Sequence, residues 1–227
     1  MFFVFQVQAQ LPDGGILYTE TDMTKAIPEP LNTLSSCLFV ALAIYWFVKL
    51  IKERNHRFLL ICTLVLFTGS VGGTLYHGLR RYHIFLFMDY MPIMILCLMA
   101  GVYFLSRVMT RWYYSLGVVI LYFLLITALR SSFAAANRHL FININYSMLA
   151  LMVLGPTLLL LTRINWQEAK WVGYSLASFL IAITFRIVDP LRLIPTGTHF
   201  LWHIFGAAAT AYMFIFIYRT DKVKIGM

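Results

Sequence analysis

The sequence predicts an all-α, polytopic membrane protein with seven transmembrane helices. Three observations lead there. Hydrophobic residues make up 61% of the 227-residue chain and charged residues only 12%, whereas a soluble domain is about half apolar and about a quarter charged. The apolar residues gather into runs of about 20, long enough to carry a helix across hydrocarbon. Charged and Pro/Gly-containing segments cut those runs apart, and no polar segment is long enough to make a separate soluble domain.

In chain order, residues 1–30 form a polar N-terminal segment that includes "TETDMTKAIPEP". Its opening is apolar for only a few residues and lacks a basic start, so it does not read as a cleaved signal peptide. The first span, 31–50, follows Pro30 and stops at a basic cluster. The second, 58–78, ends at His77 before Arg80 and Arg81. The third, 84–106, stops at Arg107, and the fourth, 112–129, at Arg130. The fifth, 139–162, lies between Arg138 and Arg163. The sixth, 171–188, lies between Lys170 and Asp189, and the seventh, 198–218, between "PTG" and Arg219. Residues 31–218 therefore make one membrane domain, and 219–227 a short basic tail.

Lys and Arg set the expected orientation. After the odd spans come Lys49, Lys52, Arg54 and Arg57; Arg107 and Arg111; Arg163 and Lys170; Arg219, Lys222 and Lys224. The other ends carry Lys25, Arg80, Arg81, Arg130, Arg138, Arg186 and Arg192. The richer side is cytoplasmic by the positive-inside rule, which puts the N-terminus outside or in a lumen and the C-terminus in the cytoplasm. The same distribution explains the net charge of +9. These residues form no basic stripe, so nucleic acid is not an expected partner. Cys37, Cys62 and Cys97 all lie in apolar spans with neither CxxC nor disulfide spacing, and read as packing residues.

With that topology, one layer near the outer ends collects the ionisable and polar groups. His77 closes span two, Asp89 lies early in span three, and Asp189 closes span six. His199 and His203 open span seven, and Glu29, Asn32, Ser35 and Ser36 open span one. Polar groups in hydrocarbon are costly without partners, so such a layer marks a functional site. Positions i and i+4 of a helix share a face about 6 Å apart, so His199 and His203 can reach one ion. His77, from another helix at the same depth, completes the three protein ligands usual for catalytic zinc. Asp89 is the nearby carboxylate that such a charged centre favours. Each residue alone has a plainer reading: a hydrogen-bonded histidine pair, an interfacial histidine like His56, His83 or His139, a structural aspartate. Their combination favours metal. Bis-histidine haem needs ligands on opposite faces of the ring, which neighbours on one helix do not supply.

"EPLNTLSS" (29–36), "HGLRRYHIFLFMD" (77–89), "FRIVD" (185–189) and "HFLWHIFG" (199–206) together resemble the alkaline ceramidases. These belong to the CREST superfamily of seven-span membrane hydrolases, with the adiponectin-receptor-like proteins and GPI-anchor lipid remodelling factors. The resemblance covers spans one, two, three, six and seven in order. It implies that His77, His199 and His203 hold a catalytic zinc, with Asp89 as the acidic residue beside it. It implies cleavage of a ceramide-like N-acyl sphingoid lipid, entering sideways from the bilayer, to fatty acid and long-chain base. The membrane would be a bacterial inner membrane or that of the ER or Golgi, with the site near the non-cytoplasmic face.

The sequence departs from the family pattern in three places, one of them a His77-to-Asp89 spacing that is longer than the pattern by about one residue. A serine is common four residues before the span-two histidine, and here that position is Gly73. The candidate hydroxyls are Ser70 and Thr74, of which Ser70 is preferred. It shares the face of His77 but lies about 10 Å deeper on a regular helix, and its plainer reading is a small packing residue beside Gly69, Gly72 and Gly73. The resemblance also raises calcium, bound in some members through the glutamate that opens span one. Glu29 fits that glutamate, and Glu20 and Asp22 offer oxygens suited to a hard cation, but the Asp-Trp-x-Glu-type run upstream is missing. Without calcium these acids read as a solvated face. Rival functions on the same fold are an adiponectin-receptor-like sensor and a lipid-remodelling esterase. A transporter fits less well, because the polar residues gather at one surface and line no path across.

Overall fold

A computed structural model describes residues 11–53, 56–109, 111–133 and 137–221, so Arg54, Lys222 and Lys224 lie outside the described residues. Seven helices account for the spans: α1 (Pro30–Glu53), α2 (Arg57–Leu79), α3 (His83–Val108), α4 (Trp112–Phe133), α5 (Arg138–Arg163), α6 (Ala169–Val188) and α7 (His199–Thr220). A short 3-10 turn, Asp189–Leu191, follows α6. The described residues contain no strand. Each helix is long and apolar enough to cross a membrane, and the chain is a multi-pass, membrane-embedded protein. A helix satisfies its own backbone groups, which hydrocarbon demands. Leu34, Ile61, Leu124 and Leu151 accordingly point outward, each more than half exposed.

The bundle is organised by the pairs α1–α2, α2–α3, α3–α5, α6–α7 and α1–α7, with α4 lying against α3 and α5. Its main apolar core fills one half, where Trp46, Leu59, Phe104, Leu160 and Phe216 pack together. These come from the C-terminal halves of odd helices and the N-terminal half of α2, the end away from the histidines. The histidine end is built differently. Pro30 starts α1, a position where its missing N–H costs nothing. Glu20 caps that start by accepting from the N–H groups of Leu31 (2.6 Å) and Asn32 (2.9 Å), which answers the orphan donors and positive dipole end of the helix. Glu20 is thus buried, not part of a solvated face. Burial raises its carboxyl above the ordinary value, against the lowering effect of those two N–H donors.

Asp189 makes the second tie. It accepts from the N–H of Thr198 (2.7 Å) and His199 (3.0 Å) at the start of α7, and from Thr19 N–H (3.0 Å). One carboxylate therefore fixes both the first turn of α7 and the N-terminal segment. Gly197 turns the chain into α7 with φ +72°, where a side chain would be strained and would also meet Asp189 and Thr19. The N-terminal segment, expected as a polar extension, is instead stitched over the histidine end, with Asp13, Ile16 and Tyr18 buried.

Candidate metal centre

His77, His199 and His203 come together as the sequence predicts. Their candidate ligand atoms lie within 4.8 Å of one another, and all three rings are buried. His77 is on the last turn of α2, and the other two on the first two turns of α7. Among the described residues this is the one group of three or more His, Cys, Asp or Glu side chains with metal-binding proximity.

Partners of the outward nitrogens decide which nitrogens face inward. His77 Nδ1–H donates to Glu29 Oε2 at 2.5 Å, which leaves Nε2 buried without a partner. His203 Nδ1 lies 3.1 Å from the Asn32 carbonyl, 2.8 Å from Ser35 Oγ and 3.3 Å from Ser36 Oγ. A carbonyl only accepts, so Nδ1 carries the proton and Nε2 holds the free lone pair. His199 is placed by its backbone tie to Asp189 and by Tyr18, whose ring stacks on it at 3.8 Å between centroids. Its Nδ1 is also buried and unpartnered. Buried imidazole nitrogens without hydrogen bonds are expensive. A divalent ion taking those lone pairs removes the cost, and carboxylate or carbonyl partners on the far nitrogens are the usual support of such ligands. The donor set fits a metal.

The α1 motif supplies that support. Glu29, Asn32 and Ser36 follow i, i+3, i+7 spacing and present one face, so "EPLNTLSS" orients two of the three histidines. Glu29 Oε1 accepts from Thr21 Oγ1 at 2.5 Å and from Arg80 Nη1, and Oε2 accepts from Asn32 Nδ2 at 3.1 Å as well as from His77. These four bonds use the whole acceptor capacity of the carboxylate. Both Glu20 oxygens are likewise occupied. Glu29, raised above for calcium, here orients His77 and is paired with a guanidinium. Asp22 stays near the surface, bonded to Thr24 and paired with Lys25 at 3.5 Å.

That guanidinium was hidden in the sequence. Arg80, read there as a loop charge, is fully buried. It ends α2 with a left-handed φ of 50°, donates from Nε to Asp13 Oδ2 at 2.6 Å and from Nη2 to the Ile16 carbonyl at 2.9 Å, and lies over the Tyr76 ring. Burial would raise the Glu29 carboxyl, but His77, Arg80 and Thr21 outweigh it and hold it below its ordinary 4.5. A carboxyl lowered by folding stabilises the protein above its unfolded value, and that contribution is lost as pH falls through the lower folded value. Glu29→Gln is therefore expected to weaken metal affinity about 10- to 100-fold, read by chelator competition. It should also remove part of the stability that the wild type loses on acidification below 4.5, read by thermal unfolding against pH. Unchanged affinity in this variant would show that Glu29 does not act through His77.

Asp89 and Ser70 both line a cavity of about 920 Å³ that opens beside His199 and His203. Gly73 explains how Asp89 reaches it. A Cβ at Gly73 would stand 2.5 Å from Asp89 Oδ1, so the carboxylate takes the space that a serine at that position would need. Ser70 is less well placed for chemistry, because its hydroxyl donates to the Phe67 carbonyl at 2.9 Å. Thr74 donates to the Ser70 carbonyl and meets Cys37 at 3.9 Å. The hydroxyls that touch a histidine are those of Ser35 and Ser36, which the sequence reading left without a role. Cys37, Cys62 and Cys97 are free thiols, of which Cys62 is buried.

No protein-family model and no curated protein matches this chain. What can be said of its chemistry comes from the site. The cavity is long as well as wide. Along α2 its lining runs from Tyr76 to Cys62, about 21 Å of helix rise, and it passes from His199, Asp89 and Ser36 to apolar residues such as Leu66, Phe214 and Ile217. Polar groups gather at the histidine end, and the remainder of the lining is largely apolar.

Proposed function

We propose that the chain is a metal-dependent hydrolase of the alkaline ceramidase type, with zinc at the three histidines, that cleaves the amide of a ceramide-like N-acyl sphingoid lipid. One observation carries the reading: a three-histidine centre with oriented rings opens onto a long apolar cavity that also holds a carboxylate. The sequence motifs supply the link to ceramidases. A bound divalent ion would supply Lewis acidity and lower the pKa of water at the site.

The chain's own residues do the rest. Glu29, Asn32, Ser35 and Ser36 hold the rings of His77 and His203, and Tyr18 and Asp189 hold His199, so no ligand has to reorganise during reaction. Asp89 accepts a proton from attacking water and returns it to the departing amine nitrogen. The amide C–N bond breaks, water oxygen goes to the carboxylate product, and the amine leaves protonated. The apolar lining binds the acyl chain and keeps bulk water from the scissile bond.

We also place the centre near the non-cytoplasmic face. Lys and Arg are more numerous at the other ends of the helices, the side that the positive-inside rule makes cytoplasmic. The test is hydrolysis by purified protein of labelled ceramide and of an ester-linked lipid, with and without chelator. Amide cleavage abolished by chelation and restored by zinc is expected. Ester cleavage alone would favour a remodelling esterase, and a metal-bound but inert protein a sensor.

A further inference from the structure

Arg186, in the last turn of α6, is only 8% exposed yet has no carboxylate within 4.0 Å among the described residues. A buried charge with no ion-pair partner in contact is costly, and Asp89 of the same cavity attracts it only from farther away. Its surroundings offset part of that cost. The guanidinium lies 5.2 Å from the Tyr146 ring centroid and 5.5 Å from that of Trp202, within cation–π distance of both rings. Nε donates to Asn143 Oδ1 at 3.2 Å, and the Tyr18 hydroxyl is within reach. Arg186 also lines the metal-side cavity.

The cavity's charges are unbalanced in the same sense. Arg130 and Arg138, both exposed, line it together with Arg186, and Asp89 is the one carboxylate among the described lining residues. A neutral lipid leaves this excess unanswered. We infer that Arg186, set against the paired rings of Tyr146 and Trp202, is a binding site for an anionic lipid head group, and that the substrate is an N-acyl lipid carrying a phosphate-type oxyanion at its polar end. A planar guanidinium donates two parallel hydrogen bonds to such a group, and Arg130 and Arg138 draw it toward the cavity. This deepens the hydrolase reading and rests on it for the chemistry, but the binding preference is measurable without turnover.

The test compares three probes on full-length protein in uncharged lipid nanodiscs: ceramide, the same ceramide bearing a terminal phosphate, and the matching free fatty acid. Affinity is followed by native mass spectrometry and hydrolysis of the first two is assayed in parallel. The phosphorylated lipid should bind about tenfold or more tighter than ceramide, the size expected for hydrogen bonds to a charged group. Arg186→Gln should bring that ratio close to one, and Arg186→Lys should keep only part of it. Should Arg186→Gln fail to fold, the double variant Arg130→Gln, Arg138→Gln, altered at exposed positions, should still reduce the ratio. Equal affinities in the wild type would overturn the inference. So would a preference that survives Arg186→Gln, or an Arg186-dependent preference for the fatty acid alone. A retained preference without cleavage of either lipid would defeat the hydrolase reading and leave the anion site standing. Cleavage of ceramide with no gain from the phosphate would do the reverse.

Discussion

Replacing His203 with alanine is expected to strip the divalent ion from the protein and reduce amide hydrolysis by about 10³-fold or more. His203 is one of three imidazoles whose ligand atoms lie within 4.8 Å of one another, and its Nδ1 is tied to Asn32, Ser35 and Ser36 on α1. Alanine leaves two histidines, one short of the three that a catalytic zinc normally needs. The lost Lewis acidity is worth several kcal/mol at the transition state, and each factor of ten in rate is about 1.4 kcal/mol. Elemental analysis and the ceramide assay on the same preparation check both halves. Metal retained at full occupancy in the variant would remove His203 from the ligand set.

Asp89→Asn should behave differently: the ion stays and turnover falls about 10²- to 10⁴-fold, the usual range for losing a general acid–base group. Asp89 lines the cavity from α3 but is not among the three residues that cluster at ligand distance. Asparagine keeps its shape against Gly73, so the packing that delivers the side chain survives, while its capacity to take and return a proton is lost. Metal content and single-turnover rates, measured side by side, separate the two roles. An ion lost together with the activity would make Asp89 a ligand.

Much of the fold was legible because hydrocarbon imposes a length and a composition. All seven expected spans fall on helices, with ends shifted by a few residues, as for 31–50 against Pro30–Glu53. The histidine trio was legible because i, i+4 spacing and helix-end depth are readable from sequence. What stayed hidden depends on contacts between distant segments. Arg80 resembles any loop arginine until Asp13, 67 positions earlier, folds beneath it. The N-terminal segment has no periodicity, so nothing in it announced that Tyr18 would stack on His199 or that Glu20 would cap α1. Glu29 was seen, but its bond to His77 was not, because it spans 48 positions. The i, i+3, i+7 pattern of Glu29, Asn32 and Ser36 was a usable signal that one face of α1 meets the histidines. Arg186 was counted as a topology charge, and only its burial against two aromatic rings sets it apart.

The most direct test is X-ray absorption at the metal edge of zinc-loaded protein. One ion per chain is expected, with a first shell of imidazole nitrogen at about 2.0–2.1 Å completed by oxygen donors. A shell made only of oxygen, a sulfur ligand from Cys62 or Cys97, or the absence of stoichiometric binding would contradict it.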